Sequence, residues 1–116
     1  MTTEPMDLAE AKEDHLEQGR KAFFEDWWGH LNDAGVTGRV AKIHTHRYRT
    51  EVYTILHPRR EGDLLCIEIG SCEISTQTEI VRATTYSSDG MHNYKPASLL
   101  TLANILTSFL CRPTKP

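Results

Sequence analysis

The sequence predicts an α+β domain: an N-terminal helix, an antiparallel meander of three to five strands, and a C-terminal helix, with both helices on one face of the sheet. Three observations carry that expectation. Apolar residues recur at helical spacing only toward the two ends of the 116-residue chain. Between them lie stretches rich in β-branched and aromatic residues, which read as strands. These stretches are joined by short turn-like segments without intervening helices, which suits antiparallel neighbours. A chain of this length is a single domain, residues 1–116, able to bury about two thirds of its unfolded surface.

The first helix rests on Leu16, Phe23, Phe24, Trp27 and Leu31, which fall on one stripe, with Gly35 placed to end it. Arg20 falls inside that stripe, where a charge needs a partner. The segment before Leu16 carries few large apolar groups, so residues 1–12, like the tail at 112–116, are expected to fray. "RVAKIHTH" and "TEVYTILHP" then read as strands and "PRREG" as a turn. "DLLCIEIG" places Leu65, Ile67 and Ile69 on one face, "CEISTQTEIVRATTYSS" supplies one long strand or two short ones, and "SDGMHNYKP" reads as a loop.

The last helix, within "KPASLLTLANILTSFLC", takes Pro96 in its first turn and is stopped by Pro113. Its core stripe is Leu99, Leu102, Ala103, Leu106, Phe109 and Leu110. Leu100 and Ile105 lie off that stripe, and residues 97–111 contain no charge at all. Such a helix is expected to be covered on two sides, by the N-terminal helix or by a second copy in a homodimer.

Composition excludes several classes. Hydrophobic residues make up 39% and charged residues 25%, the balance of a soluble globular fold. Cys66, Cys72 and Cys111 form no CxxC pair, which argues against a zinc ribbon or a disulfide framework and for reduced thiols in the cytoplasm. The acidic N-terminus lacks the apolar core of a signal peptide, and the longest apolar segment is too short to span a bilayer, so no membrane partner is expected. No GxSxG, GxxxxGK[ST] or GxGxxG motif is present. His30 and His92 stand alone. The reading leans away from an enzyme, with no cofactor.

One motif carries ligand chemistry. His44 and His46, two apart on a strand, point to the same side and can address one ion. The run from Gly38 through His44 and His46 to Glu51 resembles the first motif of the cupin family, which would imply a jelly roll and a metal-dependent enzyme. The chain departs from that pattern: Pro58 stands where the motif's second glycine belongs, and no second motif follows. Two helices also leave too few strands for a jelly roll. The expectation is therefore no metal, with both imidazoles on a hydrated strand face beside Arg47 and Arg49.

Charge provides the stronger signal. Residues 39–60 hold Arg39, Lys42, Arg47, Arg49, Arg59 and Arg60 against the single acid Glu51, while the chain as a whole carries −3. The expected function is a small non-catalytic protein-interaction module, an adaptor or inhibitor, that binds an acidic partner surface through a basic β-hairpin. Its expected contact residues are those six cations with His44, His46 and Tyr48, and Trp28 as an added anchor. An RNA- or DNA-binding module using the same hairpin is the alternative, with Tyr48 or Tyr53 stacking on bases. A metal-dependent enzyme with an HxH site is the third.

Overall fold

A computed structural model describes residues 8–111. The chain order is α1 (Leu8–Asp33), β1 (Lys42–Arg47), β2 (Thr50–Leu56), β3 (Leu64–Ser71), β4 (Thr78–Ser87), β5 (Gly90–Tyr94) and α2 (Leu99–Leu110). The five strands form one sheet in the order β1-β2-β3-β4-β5, and every neighbouring pair is antiparallel. This is the expected meander at its upper strand count. Residues 1–7 and 112–116, with Pro113, lie outside the described residues, and the expectation of frayed ends lies there with them. From residue 8 onward the chain is already helical.

α1 stops where its glycine demands. Gly35 adopts φ +82, its N–H bonds to the Asn32 carbonyl, and the N–H of Val36 bonds to the Leu31 carbonyl. That pair of bonds satisfies carbonyls that the helix end would otherwise leave open. α2 begins at a serine cap, the Ser98 hydroxyl accepting from the Thr101 N–H at 3.2 Å. Pro96 is therefore not in the first turn, as expected, but two residues before the cap, and it is buried. "SDGMHNYKP" is likewise not a loop: it contains β5, which closes on β4 through Ser88 and Asp89.

Residue alternation assigns the sheet two faces. One carries Glu51, Tyr53, Ile55, Leu65, Ile67, Ile69, Ala83 and Thr85, all buried. α1 lies on it, with Phe24 stacked 3.6 Å from the Tyr53 ring. α2 shares the same core through Leu102, Leu106, Phe109 and Leu110, and Phe109 meets His57 edge-on at 5.1 Å. Trp27 and Trp28 complete the aromatic layer beside Phe24. Leu100 differs from the expectation of a helix covered on two sides: it is 74% exposed.

The second face has no helix over it among the described residues. A bulge in β4 shifts the register between Glu68 and Ile69 and brings the Val81 side chain over Gly70, where a Cβ would lie 2.8 Å from a Val81 methyl. A single open sheet of this kind is not a jelly roll, so the fold implied by the cupin-like motif is absent.

Candidate functional site

The residues of the first hairpin are sorted by strand alternation. Lys42, His44 and His46 point toward α1, and Ile43, Thr45 and Arg47 toward the bare face, as their cross-strand partners Ile55, Tyr53, Glu51, Thr54, Val52 and Thr50 require. The expected single basic patch is therefore divided. Lys42 reaches Glu25 of α1 at 2.9 Å, with its ammonium 5.7 Å from the centre of the Trp28 ring. Tyr48 and Arg49 form the tip of the β1–β2 turn. Arg49 sits at φ 59, stacks over Tyr48 and lies 3.5 Å from Glu73.

Arg59 and Arg60 lie at the opposite end of β2, in the loop to β3. Arg59 donates to the Leu110 carbonyl at 2.8 Å, and Arg60 lies 3.3 Å from Asp63. Trp28 belongs to the core at 9% exposure, so its ring is not available as a surface anchor. Arg39 and Arg47 are exposed and have no ion-pair partner among the described residues.

On the α1 side the hairpin meets a cluster whose centre is Arg20. The burial of this arginine within the apolar stripe is resolved by three partners. Its Nε donates to Glu51 Oε2 at 2.7 Å, one terminal nitrogen donates to Glu13 at 2.7 Å, and the other donates to the Ser71 hydroxyl at 2.8 Å. Arg20 and Glu51 are both fully buried.

The second oxygen of Glu51 receives His44 Nε2 at 3.1 Å and His46 Nδ1 at 2.8 Å. His46 Nδ1 also lies 3.1 Å from Glu17 Oε1, while Lys21 holds the other oxygen of Glu17 at 3.1 Å. Burial pushes the Glu51 carboxyl up, but the hydrogen bonds from Arg20, His46 and His44 outweigh it and hold the group below the usual carboxylate value. Burial likewise opposes the charge of Arg20, and its bonds to Glu13 and Glu51 more than restore it. The ring of His44 stacks on Tyr53 at 4.7 Å.

This arrangement corrects the reading of His44 and His46 as a solvated strand face beside Arg47 and Arg49. Arg47 projects from the other side of the sheet, Arg49 pairs with Glu73, and the imidazoles face carboxylates. Glu17 and Glu13, which complete the cluster, were not singled out from sequence. The signal available for them was their place one and two turns before Arg20, an arginine that had to find acids nearby.

The bare face has its own order. Leu56, Leu64, Tyr86 and Met91 stand directly opposite one another across β2, β3, β4 and β5, forming one apolar row. Tyr86 is 41% exposed and Met91 56%, and Ile43 of the edge strand is 53% exposed. Toward the β1–β2 turn the face carries the Thr54–Cys66 and Thr84–Asn93 contacts and the Glu68–Arg82 ion pair, beside a buried Val52. Arg47 ends it. A cleft of about 490 Å³ opens between α1 and the β1–β2 turn, lined in part by Lys12, Leu16, Tyr48 and Cys72. Hydrogen bonds from Ser75 and from the backbone of Ser75 and Ile74 hold the Cys72 thiol below its ordinary pKa.

No family model, curated protein or solved structure matches the chain.

Proposed function

We propose that the chain is a non-catalytic protein-interaction module that docks an acidic partner surface on the bare face of its sheet. The observation that carries the reading is the apolar row Leu56, Leu64, Tyr86 and Met91, standing in register on a face that no described element covers. An antiparallel sheet face meant only for water alternates to polar residues. This one keeps four large apolar side chains aligned, with Ile43 beside them.

Charge complementarity selects the partner. The exposed Arg47 borders the face at the β1–β2 end, while the acidic groups of α1 project from the opposite side of the sheet. A partner with an apolar centre and carboxylates at its rim meets attraction on this side and repulsion on the other. The contact set is therefore Ile43, Leu56, Leu64, Tyr86 and Met91, with Arg47 as charged rim, and Arg49 and Tyr48 at the turn.

The reading is tested by selecting binders from a random dodecapeptide display library on the full chain. Enriched peptides carry apolar residues flanked by Asp or Glu. Their affinity falls at least tenfold for Met91→Lys and for Arg47→Glu, and declines with added salt over the range where surface charges are screened. Peptides without acidic residues, or binding indifferent to both substitutions, would overturn it. Binding of a mixed-sequence 20-nucleotide RNA with a steep log–log salt slope, about −0.7 per phosphate contacted, would move the assignment to nucleic acid.

A further inference from the structure

We infer that Glu17, His46 and Glu51, with His44 alongside, form a binding site for one divalent first-row transition-metal ion of the zinc class, which clamps α1 to the first hairpin. The observation is convergence. One ligand atom from each of Glu17, His46 and Glu51 lies within 4.8 Å of the other two, and these residues come from α1, β1 and β2. His44 Nε2 stands beside the group, 3.1 Å from the Glu51 oxygen that His46 approaches at 2.8 Å, without being one of the three mutually converging atoms.

His46 Nδ1 stands between two carboxylate oxygens, 2.8 Å from Glu51 and 3.1 Å from Glu17. Its nitrogen presents one proton at most, which the two oxygens must share. In the tautomer with Nδ1 unprotonated, the nitrogen and both oxygens instead turn lone pairs toward one point, the arrangement a metal ion takes up.

The distances suit such an ion. Zinc takes imidazole nitrogen and carboxylate oxygen at about 2.0–2.2 Å, which sets neighbouring ligand atoms about 3.3 Å apart in a tetrahedron. His46 Nδ1 lies 2.8 Å from the Glu51 oxygen and 3.1 Å from the Glu17 oxygen, and the three atoms lie within 4.8 Å of one another, so modest adjustments reach that spacing.

The surroundings are also those of an oriented ligand set. Each carboxylate has one oxygen fixed by a cation, Glu51 by Arg20 and Glu17 by Lys21, and turns the other toward the imidazoles. Outer partners of this kind hold ligands in place around an ion. The two cations do not cancel the local charge, because Glu13 adds a third carboxylate and leaves the group net negative. An imidazole with two carboxylates selects zinc, cobalt or nickel over calcium and magnesium, which prefer all-oxygen shells. The imidazoles are partly exposed, so the ion enters from solvent. The site does not depend on the fold of any cupin, since Glu17 comes from a helix that the motif does not contain.

The test titrates chelator-stripped full-length protein with zinc chloride in a calorimeter. One ion binds per chain, and calcium and magnesium give no heat. Glu17→Gln and His46→Ala each weaken zinc at least tenfold, and zinc raises the urea midpoint of the wild type but not of Glu17→Gln. Glu17 lies partly exposed on α1, so this variant folds, as checked by its circular dichroism and its zinc-free midpoint. Cobalt bound to the site shows ligand-field bands without thiolate charge transfer. Absence of zinc binding, affinity unchanged in both variants, or a thiolate band pointing to Cys66, Cys72 or Cys111 would overturn the assignment.

Discussion

Arg20 shows how one residue decides an arrangement. A guanidinium with no exposed surface is tolerable only while its donors are filled, and Glu51, Glu13 and Ser71 fill them. Arg20→Met leaves Glu51 charged, buried and without its principal partner. Breaking a buried pair in this way costs about 3–5 kcal/mol, whereas replacing both members by apolar residues is often nearly neutral. Urea denaturation should therefore show a large loss in Arg20→Met and recovery of most of it in Arg20→Met/Glu51→Leu. A loss under about 1 kcal/mol in the single variant, the range of an exposed pair, would mean that the pair is solvated. The sequence exposed half of this: Arg20 stood in an apolar stripe and required a counter-charge. Its partner was hidden, because Glu51 alternates with Val52, and shares its side with Tyr53, on a strand whose inward side depends on where α1 lies.

At the scale of elements, the β2–β3 connection is organised by His57. Its Nδ1 accepts the backbone N–H of Arg59 at 3.1 Å and of Arg60 at 3.0 Å, and its ring packs edge-on against Phe109. Two donors aimed at Nδ1 require a lone pair there, so the ring is neutral. Burial, then Arg59, lowers its pKa below the usual 6.5, with Asp63 opposing and Arg60 adding. The contribution to stability is thus fully present above about pH 6.5 and shrinks as pH falls toward the folded value, because only the unfolded chain takes up the proton. His57→Asn retains an acceptor at that position without a titrating group. Denaturation between about pH 5 and 7.5 should show a wild-type decline that this variant lacks, and a ring titration by NMR at or above 6.5 would contradict the assignment. The elements themselves were unequally legible. α1, β2, β3 and α2 carry apolar periodicities strong enough to read. β5 does not, since Gly90, Met91, His92, Asn93 and Tyr94 lack β-branched residues and form a strand because β4 offers an edge.

Across the whole molecule, both helices share one face and leave the other with an aligned apolar row. Charge counting along the chain detected the excess of cations at residues 39–60 but not its division, because strand alternation and the length of β2 separate Lys42, Arg47 and Arg59 in space. The apolar row was equally out of reach, since Leu56, Leu64, Tyr86 and Met91 align only once the register of four strands is known. That row poses a question of purpose: such residues serve folding or serve a partner. Ile43, Tyr86 and Met91 remain substantially exposed, so folding gains little from them. Replacing each by Thr, which suits a strand, should change unfolding free energy by no more than about 0.5 kcal/mol per site, the range of ordinary surface substitutions. The same three changes together should abolish binding of the peptides selected on the wild type. A loss of several kcal/mol would instead make this face part of the folding core and remove the reason for treating it as a docking surface. Retained stability with lost binding is the outcome that separates recognition from architecture.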